Sequence, residues 1–179
     1  MKLAIRGFEL EDLGLGVYAF DLYGETNRVY LRKKIDELPA VAPNSMNKYG
    51  RVLSGTFWRT LQAVLVADVA SHARRVYPDI APLKKNPYGF IVAYSLTTQR
   101  SLAKHSDSSD VTINVCLSED DDFEGGELIF YTKQQTLTVY HRPGVAILHR
   151  GALEHRALPL KDGVRTNMIL WCRARGSTW

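Results

Sequence analysis

Two neighbouring runs decide how this chain is read: Leu102-Ala103-Lys104-His105-Ser106-Asp107 and Val111-Thr112-Ile113-Asn114-Val115-Cys116-Leu117. The second alternates apolar and polar residues, the period of a strand whose successive side chains point to opposite faces. In the first, His105 and Asp107 are two residues apart, so on a strand one imidazole and one carboxylate project side by side. That pair is one ligand short of the two-histidine, one-carboxylate set that holds Fe(II) on one face and leaves positions open. His155 can supply the third ligand from another strand. Arg165 lies ten positions further on, past Pro159 and Lys161-Asp162-Gly163, which read as a turn. A hairpin of 155–158 with 164–172 is therefore expected, with Arg165 offset from His155 by roughly 7 Å along the strand. A short diacid with one end on the metal places its other carboxylate there, and a guanidinium fork receives a carboxylate through two hydrogen bonds.

His141 and His149 are rival ligands, but only His155 has the arginine partner. The plainer alternative makes His105 and Asp107 a polar strand end entering the Ser108-Ser109-Asp110 turn, with Arg165 a surface cation. The conjunction of four residues in one β-rich half favours the site.

Outward from these runs, the period of two continues on both sides. Strands are expected at Phe90–Leu96, Leu102–Asp107, Val111–Leu117, Glu127–Tyr131, Thr136–Tyr140, Val145–His149, Glu154–Leu158 and Val164–Arg173. Short connections rich in turn residues fit an all-β sandwich or jelly roll. If Arg165 points inward, so do Asn167, Ile169 and Trp171, and Trp171 walls the pocket. If Thr112 points inward, Asn114 and Cys116 follow. Tyr94, on the strand before His105, can hydrogen-bond a bound acid or pack with its hydroxyl at the rim.

The first half is different. Residues 1–27 carry short apolar runs broken by glycines and read as one or two edge strands. A helix from Asn27, its cap, to Leu38 ends at Pro39. Pro43 to Gly50 is a loop, in which Met46 and Tyr49 read as ordinary packing residues rather than an entrance. Thr56 to Tyr77 forms the clearest helix: Trp58, Leu61, Leu65, Val69, His72 and Val76 recur at helical spacing, and Pro78 stops it. His72 reads as a core or boundary histidine. The acidic Glu119-Asp120-Asp121-Asp122 run before Glu124-Gly125-Gly126 lacks the alternating ligands of a calcium loop and reads as solvated.

The fold class expected is thus mainly β with N-terminal helices, a jelly roll buttressed by one long helix. At 179 residues it forms one domain, a helical and edge-strand part over 1–88 and a jelly-roll core over 89–175. No run reaches the length of a membrane span, and Met1 to Arg6 lacks the apolar core of a signal peptide; an intracellular, cytoplasmic protein is expected. Cys116 and Cys172 have no metal-type spacing and read as reduced and apolar, although sequence leaves a disulfide between them open. A net charge of +4 spread over small basic groups gives no sign of a nucleic-acid footprint.

With these residues assembled, the chain resembles the 2-oxoglutarate- and Fe(II)-dependent dioxygenases of the prolyl/lysyl hydroxylase type, with a double-stranded β-helix core. The matching pieces are His105-Ser106-Asp107, Val111 to Leu117, Phe123-Glu124-Gly125-Gly126-Glu127-Leu128, and His155 with Arg165. Thr112-Ile113-Asn114-Val115 followed by Glu124-Gly125-Gly126 looks like the lysyl hydroxylase catalytic domain. Met46 to Gly50 and Gly144 to Gly151 look closer to the "2-oxoglutarate and iron-dependent oxygenase domain-containing" branch. The resemblance covers roughly 44–175 and implies Fe(II) on His105, Asp107 and His155. It places the distal carboxylate of 2-oxoglutarate on Arg165, with Tyr94 helping to hold the cosubstrate; the strand alternation adds Asn114 beside the cosubstrate and Asn167 and Trp171 towards the substrate. The resemblance also implies O2 as oxidant and ascorbate as accessory reductant, with release of succinate and CO2. Some related hydroxylases carry a tyrosine near the position of Cys116, so another group must assist Arg165 here.

The activity so implied is hydroxylation of a C–H bond on a protein or peptide side chain. Alternatives are a small-molecule or free amino acid hydroxylase, an AlkB-type nucleic-acid dealkylase, and a catalytically silent jelly-roll binding module. Arg165-Thr166-Asn167 is faintly similar to the dealkylase motif, but the His-to-Arg spacing is too short for it.

Overall fold

The computed structural model describes residues 9–21, 25–37 and 50–177, without the side chains of 25–28, 63–65, 67, 68 and 120. The loop with Met46 and Tyr49, and Leu65 on the helical stripe, lie outside what is described. A hairpin of β1 (Glu11–Gly14) and β2 (Val17–Asp21) comes first among the described residues, where one or two edge strands are expected; β1 lies at a sheet edge, whereas β2 is paired on both sides. Helix α1 spans Glu25–Asp36, two residues earlier at each end than expected, so Asn27 lies inside the helix rather than capping it. After β3 (Arg51–Val52) comes α2 (Gly55–Val76), stopped before Pro78 as expected.

The strands that follow are β4 (Tyr88–Ser95), β5 (Leu102–His105), β6 (Val111–Cys116), β7 (Phe123–Gly125), β8 (Leu128–Tyr131), β9 (Thr136–Val139), β10 (Val145–Arg150), β11 (Glu154–Ala157) and β12 (Leu160–Cys172). The larger sheet runs β1-β2-β10-β6-β12-β4-β3, with β7 joined to the start of β12; the smaller runs β5-β11-β8-β9. All pairings are antiparallel. This is the jelly roll the alternation predicts, with eight strands within a few residues of their expected bounds.

Alternation on the larger sheet divides two cores. One face carries Ile91, Val111, Ile113, Val115, Ala146, Leu148, Met168, Leu170 and Cys172, packed with Trp58, Leu61, Val69, Ala73 and Tyr77 of the α2 side. The long helix is therefore a buttress, and burying this stripe is what fixes it, at about 1.5–3 kcal/mol per large apolar side chain. His72 is half-buried on it, its ring 5.8 Å from that of Phe20. The other face carries Phe90, Val92, Tyr94, Ile147 and Ile169 and packs against Leu128, Phe130, Val139 and Ala157 of the smaller sheet. The site opens in this second core.

The expected hairpin across 159–163 does not form. β11 pairs with β5 and β8, whereas β12 pairs with β4, β6 and β7, so the chain crosses between sheets at 158–160. Residues 160–163 continue β12 against β7 with a shift of register between Leu160 and Asp162. Lys161 is the residue left over in that shift, and Gly163, at φ 75°, follows it in register with Phe123, where a Cβ would meet the Asp122 carbonyl oxygen at 2.0 Å. The Lys-Asp-Gly run is thus a bulge in a long strand rather than a turn.

Two smaller questions are settled by register. Cys116 lies opposite Asn167, and Cys172 opposite Val111, five residues along β6. That separation is roughly 17 Å at the rise of a strand, far beyond disulfide reach, and both cysteines are buried and outside any disulfide. The acidic run forms a 3-10 turn at Asp120–Asp122. It docks on α1 through an ion pair between Asp122 and Arg32, so it is partly tied down rather than wholly solvated. No described helix is long and apolar enough to cross a membrane.

Candidate functional site

Six strands, β4, β5, β6, β10, β11 and β12, deliver the polar side chains of the second core. β5 ends at His105, and Asp107 follows two residues later, its backbone N–H donating to the Gly151 carbonyl (2.8 Å) just past the end of β10. β11 brings His155 directly opposite His105 in the ladder. His105 Nε2 lies 3.5 Å from Asp107 Oδ1, and His155 Nε2 lies 3.8 Å from Asp107 Oδ2. Among the described residues these three form the group of possible ligands whose donor atoms all lie within 4.8 Å of one another.

Their orientation is fixed from behind. His105 Nδ1 is 2.7 Å from the Ala103 carbonyl oxygen, and His155 Nδ1 is 3.0 Å from that of Leu153. A carbonyl only accepts, so each Nδ1 carries the proton and each Nε2 turns a lone pair towards Asp107. Thr112 on β6 donates its hydroxyl proton to Asp107 Oδ2 at 2.6 Å, and Ser109 in turn bonds Thr112 at 2.7 Å. Phe130 stacks on the His155 ring, with centroids 5.5 Å apart.

The electrostatics follow from burial and this crowding. Burial alone would raise the Asp107 carboxyl, but His105, the His155 and His149 imidazoles and the Thr112 hydroxyl hold it below the usual carboxylate range. Burial works against protonating His105, yet its contact with Asp107 raises its pKa above 6.5. Burial lowers that of His155, with Asp107 opposing. Lone pairs aimed at a carboxylate repel unless a proton or a cation sits among them. Donors about 2.1 Å from one ion and on one face of it lie roughly 3 Å apart, so a small contraction suits this set to a divalent metal.

The pocket beside the three contains about 380 Å³ of space unfilled by protein, open solvent at its mouth included. Tyr94, Thr112, Asn114 and His149 line it with the three, and Phe90, Val92, Leu102, Leu128, Ala157 and Ile169 supply apolar walls. Arg165 lies beyond Tyr94, its guanidinium carbon 4.7 Å from the Tyr94 ring centroid and 5.6 Å from that of Phe123. The side chain is 1% exposed. Its Nη1 donates to the Gly126 carbonyl, while Nε and Nη2 have no hydrogen-bond partner. Among the described residues no carboxylate pairs with it. A buried guanidinium with two unused donors is a cation shaped for an acid that arrives from outside. Burial raises the Tyr94 phenol pKa, with the Arg165 charge opposing, so the hydroxyl keeps its proton and can donate.

Each residue expected from sequence can now be located. Arg165, Asn167, Ile169 and Trp171 do share the inward face of β12, and Thr112 and Asn114 that of β6. Asn114 lines the pocket. Asn167 is buried behind it, donating to Asn114 Oδ1 (2.6 Å) and His141 Nδ1 (3.1 Å). Trp171 is half-buried and packs on Phe90 and Tyr88, with centroids 5.2 and 5.9 Å apart, rather than lining the pocket. Arg165 reaches its place from the sheet facing His155, by the crossing at 158–160 rather than by a hairpin.

His149 is the member that sequence reasoning set aside. It sits on β10 in the same face as Ile147, is 1% exposed, and holds Nε2 3.8 Å from Asp107 Oδ2. Its signal was available: Val145, Ile147 and His149 alternate with Ala146 and Leu148, so an inward Ile147 brings His149 inward too. His141 is also buried, and burial with the nearby Arg165 charge pushes its pKa down to about 3. Its Nε2–H donates to Val145 O at 2.8 Å, which fixes the Asn167 amide.

No protein-family model matches the chain. Individual relatives do. The 2-oxoglutarate and iron-dependent oxygenase domain-containing protein ICU11 of Arabidopsis thaliana is 36% identical over 146 residues, 74% of this chain and 36% of that protein. The domain-containing protein 2 of the same description from Xenopus tropicalis is 34% identical over 148 residues, 77% of this chain and 42% of its own length. The procollagen-lysine,2-oxoglutarate 5-dioxygenase 1 of Mus musculus is 33% identical over 113 residues, 62% of this chain and 15% of that enzyme. The chain thus spans less than half the length of these relatives. Among solved structures, a 2OG-Fe(II) oxygenase family oxidoreductase from Burkholderia pseudomallei superposes with TM-score 0.73 at 13% identity, covering 88% of this chain and 85% of that one. A prolyl 4-hydroxylase from Phytophthora capsici superposes with TM-score 0.68 at 19% identity, covering 89% and 59%. At such identities these share the fold.

Proposed function

The chain belongs to the 2-oxoglutarate- and iron-dependent oxygenases, and from that premise we propose that it hydroxylates a C–H bond on a protein or peptide side chain of the prolyl or lysyl kind. The balance is R–H + 2-oxoglutarate + O2 → R–OH + succinate + CO2. Bound at the site, ferrous iron with 2-oxoglutarate and O2 supplies the oxidising power for that exchange. The observation that carries the reading is the pairing of two features in one core, the second just behind a wall residue of the pocket that holds the first. Three ligand atoms converge within 4.8 Å, and a buried guanidinium stands beyond Tyr94 with two nitrogens, Nε and Nη2, unpartnered.

Each residue then has a role. His105, Asp107 and His155 would hold the metal. Thr112 and Ser109 lock the Asp107 rotamer. The backbone carbonyls of Ala103 and Leu153 keep both imidazoles neutral and aimed. Arg165 takes the distal carboxylate of the cosubstrate through Nε and Nη2, and the Tyr94 hydroxyl assists it, where some related hydroxylases use a tyrosine near the position of Cys116. Asn114 borders the cosubstrate, and Asn167 orients Asn114. The apolar walls exclude water and so protect a reactive oxidant from wasteful discharge. The likeness to the procollagen-lysine enzyme favours a protein substrate over a free amino acid.

The test is to incubate the iron-loaded protein with 2-oxoglutarate and peptide, free amino acid and oligonucleotide pools. Succinate formed together with a gain of one oxygen on a peptide supports the proposal. Succinate coupled to another pool alone replaces the substrate class, and no succinate with any pool or without one sinks the activity.

A further inference from the structure

The metal site contains one imidazole more than its ligand set uses. We propose that His149 is a positioning residue of the site, accepting a hydrogen bond through Nε2 from a proton-bearing ligand that the metal holds beside Asp107. The inference rests on the metal-binding reading above.

Four observations carry it. First, His149 is built like the two proposed ligands. Its Nδ1 lies 2.9 Å from the Arg150 carbonyl oxygen, so Nδ1 bears the proton and Nε2 is a bare lone pair. Second, that lone pair faces the same oxygen as His155 does, at the same distance: each Nε2 is 3.8 Å from Asp107 Oδ2. Third, His149 stands outside the group whose donor atoms all lie within 4.8 Å of one another. Two donors on one ion are at most about 4.2 Å apart, when opposite each other, so His149 is beside the coordination sphere rather than in it. Fourth, its ring is held: it meets Phe130 edge to face at 5.1 Å and His155 at 4.6 Å. The side chain is 1% exposed, yet the residue lines the pocket.

Two acceptors 3.8 Å apart, one a carboxylate oxygen and one an imidazole nitrogen, are reconciled by a donor between or beside them. A metal-held water has two O–H groups to give. A keto-acid has none, because its carboxylate and carbonyl oxygens only accept. His149 therefore favours water, or an O–H or N–H of the substrate, at the open position beside Asp107, and turns the chelating cosubstrate towards the other positions, on the Tyr94 and Arg165 side. On this view the third histidine sets the orientation of the cosubstrate and marks the position a substrate donor displaces.

The experiment compares the whole chain with His149→Leu, which removes the acceptor, and His149→Gln, which restores an amide oxygen, alongside Asp107→Ala. Anaerobic calorimetry gives the affinity for Fe(II) without cosubstrate, and pulsed EPR on Cu(II)-loaded protein counts directly bound imidazoles. Loss of an outer partner of a metal site weakens binding about 10- to 100-fold. The expected result is weakening of about tenfold in the leucine variant, recovery in the glutamine variant, and two bound imidazoles in every His149 form. Equal affinity in wild type and both His149 variants overturns the inference, as does a count of three imidazoles in wild type falling to two in the leucine variant. Binding abolished by Asp107→Ala but indifferent to His149 leaves the ferrous reading standing and removes only this one. A wild type that binds no ion removes both. If the leucine form does not fold, the glutamine form and the wild-type imidazole count decide between the same outcomes.

Discussion

Replacing Arg165 by methionine separates a ligand-binding cation from a structural one. The guanidinium is buried, and two of its three nitrogens have no partner. An unsatisfied buried donor costs about 1–3 kcal/mol, so the ligand-free fold gains little from this side chain beyond one bond to Gly126. Methionine fills a similar volume without polar atoms. The metal-free, ligand-free variant is therefore expected to melt at the wild-type temperature or above it. Cosubstrate binding behaves oppositely. Two charge-assisted bonds to a carboxylate contribute about 1.5–3 kcal/mol each, so their loss weakens 2-oxoglutarate by roughly 10²- to 10⁴-fold. At a concentration of 100 times Kd, the cosubstrate stabilises the iron-loaded wild type by about 2.7 kcal/mol. For a chain of this size that raises Tm by roughly 5–11 °C. The same addition leaves R165M unmoved. Anaerobic thermal melts with and without 2-oxoglutarate, followed by calorimetry, give both numbers. An unchanged 2-oxoglutarate affinity in R165M refutes the assignment. So does a ligand-free variant destabilised by several kcal/mol, which makes Arg165 a pillar of the fold.

Other consequences are as direct. A Cβ at Gly126, where φ is 72°, falls 2.8 Å from Arg165 Nη1 and 2.7 Å from Leu160; Gly126→Ala should raise the 2-oxoglutarate requirement and leave Fe(II) affinity within about threefold. An equal loss of both ligands contradicts this. Acid should destabilise the metal-free protein between pH 6.5 and 4. Burial holds His149 down at about 4 and His141 at about 3, so the unfolded chain binds more protons in that window and stability falls with pH. The raised His105 acts with the other sign, but its contribution is complete below 6.5, and the lowered Asp107 titrates beneath the window. Urea midpoints at pH 6.5, 5.5 and 4.5 check this, and a flat profile contradicts it. Both thiols should react with a disulfide reagent only on unfolding, since burial takes Cys172 up to about 12; a prompt two-thiol reaction, or a mass two units low, contradicts the register of β6 and β12.

The period of two made the jelly roll legible, because each strand buries both faces differently and writes that alternation into its residues. The candidate triad was legible for a local reason: His105 and Asp107 need only an extended chain to stand together. What sequence hid depends on which sheet a segment joins. Pro159 and Gly163 carry the chemistry of a turn, but they serve a sheet crossing and a bulge, since β7, three residues long, is too short to announce itself. Trp171 faces the right way yet packs against Phe90 and Tyr88, because inward orientation does not say which part of a face the pocket occupies. His149 was readable from the alternation of Val145 to His149, but spacing to Arg165 drew the reading to His155 alone.

The most direct test is an anaerobic titration of the chain with Fe(II), run beside His105→Ala, Asp107→Ala and His155→Ala, with folding checked by circular dichroism. The account predicts one ferrous ion per wild-type chain and none at the same concentrations in any of the three folded variants. One ion bound with undiminished affinity in those variants contradicts it.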